Sequence, residues 1–124
     1  MNEAYVYNGP AGSRASVFPL ETRDGIELLQ IADILFAEVY EHKTSLFLKG
    51  GRQVQGFISL TEIEKKLTDY GFFRCHRSYL VSFLAVSRIK AYELKLVNGV
   101  SIPISKYKYK EFLSAYSRYT GVII

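Results

Sequence analysis

The chain has 124 residues, enough for one domain, and its 48% apolar content is that of a globular chain rather than a disordered one. A single cysteine, Cys75, excludes an internal disulfide and fits a cytoplasmic home; no charged-then-apolar leader follows Met1, and the longest uncharged apolar run, residues 79–86, is too short to span a bilayer. The net charge of +4 is unevenly spread: residues 1–71 hold seven basic and ten acidic groups, residues 72–124 nine and two, so a polyanion-facing surface would come mainly from the second half.

Residues 1–16 contain Gly9, Pro10, Gly12 and Ser13 without an apolar period and read as a linker or flexible arm, although Tyr5 and Tyr7 leave room for a short docked strand. Residues 17–124 read as one domain. Strands are predicted over 17–22 and 26–30, joined by the hairpin signal Asp24-Gly25, because both residues tolerate positive φ. A brief helical turn over 31–34 leads into a strand over 34–40. Strands over 44–48 and 53–57 flank Gly50-Gly51, a second hairpin.

Ser59 and Glu62 have capping-box spacing, and Leu60, Ile63 and Leu67 recur at helical period, with Glu64, Lys65 and Lys66 outward. Gly71 is placed to end this helix in the left-handed conformation. A short strand over 72–74 leads to a loop around His76 and Arg77, and Tyr79, Leu80 and Val81 follow as an apolar anchor. Strands over 86–91 and 94–97, the turn Asn98-Gly99 and a strand over 101–104 come next. A terminal helix is predicted over 106–119, with Ser105 as N-cap and Phe112, Leu113 and Tyr116 inward. Eight or nine short strands with regular turn signals favour a β sandwich or an open barrel-like stack.

No enzymatic constellation is present. The sequence has no Walker loop, GxGxxG, HExxH or paired CxxC. Cys75 and His76 are adjacent, so on a strand their side chains point to opposite faces and cannot form a nucleophile–base pair. Two histidines and one cysteine supply no zinc spacing, so neither a metal nor a cofactor is expected.

The densest segment is Phe72-Phe73-Arg74-Cys75-His76-Arg77-Ser78-Tyr79-Leu80-Val81. Phe73 and Cys75 share one strand face, Arg74 and His76 the other. Apolar residues on both sides pin a basic loop and present Arg77. A plain strand end with surface arginines fits the same chemistry.

Residues 73–81 closely resemble the signature of the LytTR family of DNA-binding domains. The resemblance extends over residues 17–119, through Asp33-Ile34-Leu35-Phe36-Ala37-Glu38-Val39 upstream and Ile102-Pro103-Ile104-Ser105-Lys106 downstream. It implies an elongated stack of short antiparallel sheets with one internal helix and a C-terminal helix, whose loops enter DNA grooves. It implies contacts at three places: the loop after the glutamate strand (Tyr40, Glu41, His42, Lys43), the position after the motif histidine (Arg77), and the turn before the last helix (Ser105, Lys106, with Lys108 nearby). His42, Lys43 and Arg77 are then the base readers. Arginine at 77, where relatives carry Asn or Arg, favours guanine O6 and N7. Arg74, Ser105, Lys106 and Lys108 are the phosphate contacts, with a local carboxylate as the other partner open to Arg74. His76 is expected to be structural, hydrogen-bonded and partly buried.

By the same resemblance the partner is double-stranded promoter DNA, in tandem repeats that seat a second copy. An upstream phosphorylated receiver domain would make this chain the effector half of a two-component response regulator. Two rivals stand beside this reading. One is a protein- or peptide-binding β module. The other is a small RNA-binding domain, suggested by ten Tyr and eight Phe.

Overall fold

The computed structural model describes residues 16–124. The linker or arm read for residues 1–16, and the strand suggested by Tyr5 and Tyr7, lie outside the described residues except for Ser16, whose carbonyl accepts from Ile31 N at 2.7 Å.

Among the described residues ten strands and two α-helices follow one another. They are β1 (Val17–Thr22), β2 (Gly25–Gln30), β3 (Ile34–Tyr40), β4 (Lys43–Leu48), β5 (Gln53–Gly56), α1 (Leu60–Leu67), β6 (Phe72–His76), β7 (Tyr79–Ser82), β8 (Val86–Lys90), β9 (Glu93–Leu96), β10 (Ser101–Pro103) and α2 (Tyr109–Thr120). All pairings are antiparallel and fall into three sheets: β1-β2, the five-stranded β5-β4-β3-β7-β6, and β10-β9-β8. The expected stack of short sheets is therefore present, with a turn of 3-10 helix over Ile31–Asp33 where a helical turn was predicted.

The five-stranded sheet is the middle layer, buried on both faces. Its side chains alternate between two cores, as a period of two requires, except where the register of β3 shifts between Ile34 and Phe36 and places Leu35 and Phe36 in the same core. Leu46, Leu80 and Ala37 pack with Phe18, Leu20 and Leu29 of the β1-β2 hairpin and with Leu60, Ile63 and Leu67 of α1. Phe36, Cys75 and Val81 face the other way, onto Leu94, Leu96 and Ile102 of the outer sheet and Phe112 of α2. A sheet covered on both faces needs apolar residues in succession, which is why 34–37 and 79–81 carry no polar alternation. Phe112 is fully buried and meets the rings of Phe73 and Phe83 at 5.5 and 5.6 Å, so its truncation would cost about 3–5 kcal/mol. Leu113 and Tyr116 are half-buried against the same core.

Several boundaries depart from expectation for local reasons. Thr22 pairs with Gly25, so the first hairpin turns on Arg23-Asp24, and Gly25, at φ 117°, opens the next strand. The Thr22 hydroxyl accepts from Asp24 N and donates to Gly25 O, a side-chain bracket that displaces the Asp-Gly turn by one residue. The Asn98-Gly99 turn is longer than two residues: Leu96 N donates to Val100 O, and Asn98 Oδ1 accepts from Val100 N. The capping box of α1 is formed, with Ser59 Oγ accepting from Glu62 N at 3.1 Å. Gly71, at φ 83°, ends the 3-10 turn Thr68–Tyr70 that follows α1. A Cβ there would stand 2.4 Å from the Tyr119 ring, so that position needs glycine for backbone and for space.

Candidate nucleic-acid interface

The β3–β4 connection is a tight hairpin whose two central residues are both non-glycine at positive φ. Tyr40 pairs with Lys43, leaving Glu41 and His42 as a two-residue turn with φ of 49° and 66°. Both central residues are left-handed, as in a type I′ hairpin, where Asn-Gly would be the relaxed choice. Non-glycine residues held there cost on the order of 1–3 kcal/mol each, and such strain concentrates at functional sites. The turn leaves His42 and Lys43 exposed at its tip, while Thr44 and Ser45 directly behind are buried.

Arg77 and Ser78 form the β6–β7 turn beside it. Val39 N donates to Ser78 O at 3.0 Å and ties the two turns together. Arg77 is exposed. Arg74 is turned inward: its guanidinium donates to Arg77 O at 2.5 Å, His76 O at 3.1 Å, Thr61 Oγ1 at 3.4 Å and Glu64 Oε1 at 3.1 Å. Of the two partners open to Arg74, the local carboxylate is the one it meets. The expectation that Arg74 and His76 share a strand face is corrected by a register shift between them. His76 lies edge-on to Tyr79 at 5.7 Å, and its Nδ1 accepts from Ser78 N at 3.1 Å. The Tyr79 hydroxyl sits beside Glu38; burial first, and then that carboxylate, push its pKa up.

The third place is the segment before α2. Ser105 N donates to Cys75 O at 2.8 Å, which fixes the segment to the end of β6. The last helix starts at Tyr109, three residues later than predicted, and Ser105 is not its N-cap. Its carbonyl instead accepts from Lys108 N in a turn. Lys106 is exposed, its Nζ 5.5 Å from the Tyr107 ring centroid. Lys108 is half-buried, with Nζ 5.9 Å from the Phe73 ring centroid and 3.7 Å from Glu111. Tyr107 falls inside the helix predicted over 106–119 but lies before its observed start, and it is 86% exposed. The Lys-Tyr-Lys-Tyr-Lys alternation over 106–110 was the available signal: it breaks helical period and puts an aromatic ring in water.

These backbone ties draw His42, Lys43, Arg77, Ser105 and Lys106 to one end of the stack. An open groove of about 830 Å³ runs beside His42 and Lys43, lined also by Gln55, Phe57, Thr61 and Arg74. Cys75, just behind Arg77, is buried, and burial pushes its thiol pKa up to about 12, so it is an unreactive core residue. Among the described residues no cluster of His, Cys, Asp and Glu is arranged to hold a metal, and no helix is long and apolar enough to cross a membrane.

Residues 24–117 match the family model described as the LytTr DNA-binding domain. The chain is 29% identical over 107 residues to the sensory transduction protein LytT of Enterococcus faecalis, covering 82% of this chain and 43% of that one. It is 34% identical over 88 residues to the transcriptional regulatory protein YpdB of Escherichia coli K12, covering 66% of this chain and 36% of the relative. It thus spans less than half the length of either. Among solved structures, a LytTr DNA-binding domain from Bacillus cereus superposes with a TM-score of 0.70 at 27% identity, covering 81% of this chain and 95% of the other. Over three-quarters of its length, and in fold as in sequence, the chain belongs to the LytTr DNA-binding domain family.

Proposed function

We propose that this domain reads duplex DNA with the three loops at one end of its β stack, as the effector part of a transcriptional response regulator in the cytoplasm. The gathering of exposed His42, Lys43, Arg77 and Lys106 at that end, on turns tied to each other through the backbone, is the observation that carries the reading. Arg77 stands on a turn braced from behind and suits bidentate contact with a guanine edge. His42 and Lys43, at the tip of a two-residue turn, suit contact with base edges in a neighbouring groove. Lys106 and Ser105 hold phosphate, and Lys108, already engaged by Glu111 and Phe73, contributes less. Arg74 sets the shape of the Arg77 turn and does not meet phosphate. Residues 17–124 act as the DNA-binding unit, joined through residues 1–16 to a receiver domain upstream. Tandem half-sites on a promoter would seat two copies. The relatives' names, sensory transduction protein and transcriptional regulatory protein, support this setting.

Selection of bound duplexes from a random pool, followed by competition with unrelated DNA at physiological salt, tests it. On the selected site Arg77→Ala is expected to cost about 1–3 kcal/mol and to relax the preference at one base pair. Lys106→Ala is expected to weaken all duplexes alike and to make the salt slope shallower by about one. Binding of every duplex with equal affinity refutes the reading.

A further inference from the structure

We infer that the outer face of the β10-β9-β8 sheet is an accessory phosphate-binding surface for the same duplex, an inference that rests on the DNA-binding reading above. Arg88 of β8 and Lys95 of β9 stand directly opposite each other, and both are exposed. Like charges in that position repel. Among the described residues neither makes an ion pair. Lys90, two residues along and therefore on the same face, is opposed by Glu93 at 3.6 Å. Three cations thus share these paired β8 and β9 positions with one carboxylate, and that carboxylate is already paired. The opposite face of the same strands, through Ile89, Leu94 and Leu96, packs on the core, so the cations cannot turn inward.

The face is continuous with the reading end. Tyr92, in the β8–β9 turn, accepts from Ile104 N at 2.9 Å, and its ring meets Tyr109 at 5.7 Å. Those contacts lay the turn against the segment that carries Ser105 and Lys106. Tyr92 is itself left-handed, at φ 66°, and 53% exposed. From that turn the cations run back along the sheet, Lys90 and then Arg88 about 7 Å further on. DNA seated on the reading loops passes this face on its way out of the site. The ligand class is the deoxyribose-phosphate backbone flanking the read segment, held without base preference. The edge of β8 does not suit an added peptide strand, because its register shifts between Val86 and Arg88 and its outward side chains are cationic. What binds here is met by the side chains of the face.

The test is the double variant Arg88→Gln/Lys95→Gln in the whole chain, against Lys65→Gln/Lys66→Gln on α1, across the central sheet, as the control for net charge. Both are read on the selected duplex and on unrelated DNA over a range of salt. Loss of two phosphate contacts makes the salt slope shallower by about 1.8 and the affinity about tenfold weaker on both duplexes, with their ratio unchanged. Removing a repelling pair also leaves the thermal midpoint equal or higher, which separates the effect from damage to the fold. The control variant is expected to change the slope by less than half as much. The inference is overturned if both variants act alike, or if Arg88→Gln/Lys95→Gln binds as the unaltered chain does; a face kept for an acidic protein would give that second result. If the unaltered chain itself prefers no duplex, the parent reading falls and this one with it.

Discussion

Arg74→Lys separates a residue that shapes the Arg77 turn from one that holds phosphate. The substitution keeps the positive charge and removes the fork. The guanidinium reaches four oxygens in three directions: the carbonyls of His76 and Arg77, the Thr61 hydroxyl and the Glu64 carboxylate, all between 2.5 and 3.4 Å. An ammonium on a four-carbon stem reaches Glu64 or the turn carbonyls, not both. Its side chain is only 20% exposed, so the abandoned carbonyls are incompletely rehydrated. Hydrogen bonds to a charged group contribute about 1.5–3 kcal/mol each. Loss of two, discounted for partial access of water, gives about 2–3 kcal/mol. At this chain length that lowers the thermal midpoint by roughly 8–12 °C. Circular dichroism melts read the stability, and salt titration of DNA binding reads the charge. A shaping role predicts the lower midpoint together with weaker preference for the selected duplex and an unchanged salt slope. A midpoint within a degree of the unaltered chain would refute the reasoning, because the fork would then carry nothing the lone charge does not.

Replacing the strained pair by Glu41→Asn/His42→Gly relaxes two left-handed residues and is expected to raise stability by about 1–2 kcal/mol in urea unfolding, while base preference in duplex selection drops. Gly71→Ala meets both a positive φ and the Tyr119 ring, and should cost at least about 2 kcal/mol; Tyr119→Ala in the same chain restores only the steric part, measurable by the same unfolding curves. The Cys75 thiol, raised from 9.0 to about 12 by burial, binds its proton more tightly when folded. The stability it contributes is complete below about pH 9 and is lost as pH rises toward 12, so unfolding free energy should fall over that window in the native chain and less in Cys75→Ala. In the unaltered chain a thiol reagent at pH 8 should label Cys75 only after denaturant is added.

The strand pattern was legible because both faces of the middle sheet are buried: apolar runs at 34–37 and 79–81 and the turn glycines at 50, 51 and 71 mark the elements directly. The helix α1 announced itself through the Ser59–Glu62 cap and the spacing of Leu60, Ile63 and Leu67. Sequence reasoning did not reach the geometry that depends on distant partners. Glu41-His42 carries no turn signature, because the hairpin is forced by the pairing of β3 with β4 rather than by local propensity. Arg74 gave no sign of which partner it meets until α1 brought Glu64 to it across ten residues of sequence. Ser105 has the composition of a helix cap, yet its backbone is taken by Cys75, thirty residues earlier, and the helix starts late. Arg88 and Lys95 lie seven residues apart, and only the register sets them face to face.

The bond from Val39 to Ser78 and the bond from Ser105 to Cys75 have a mechanical consequence. They fix the spacing between the three reading loops, so no loop can adjust its reach independently of the others. When the loops meet DNA whose grooves do not match that spacing, the double helix must supply the compliance. Base steps that kink easily, such as TA and CA, should therefore be favoured between the contacted positions, at base pairs that no side chain touches.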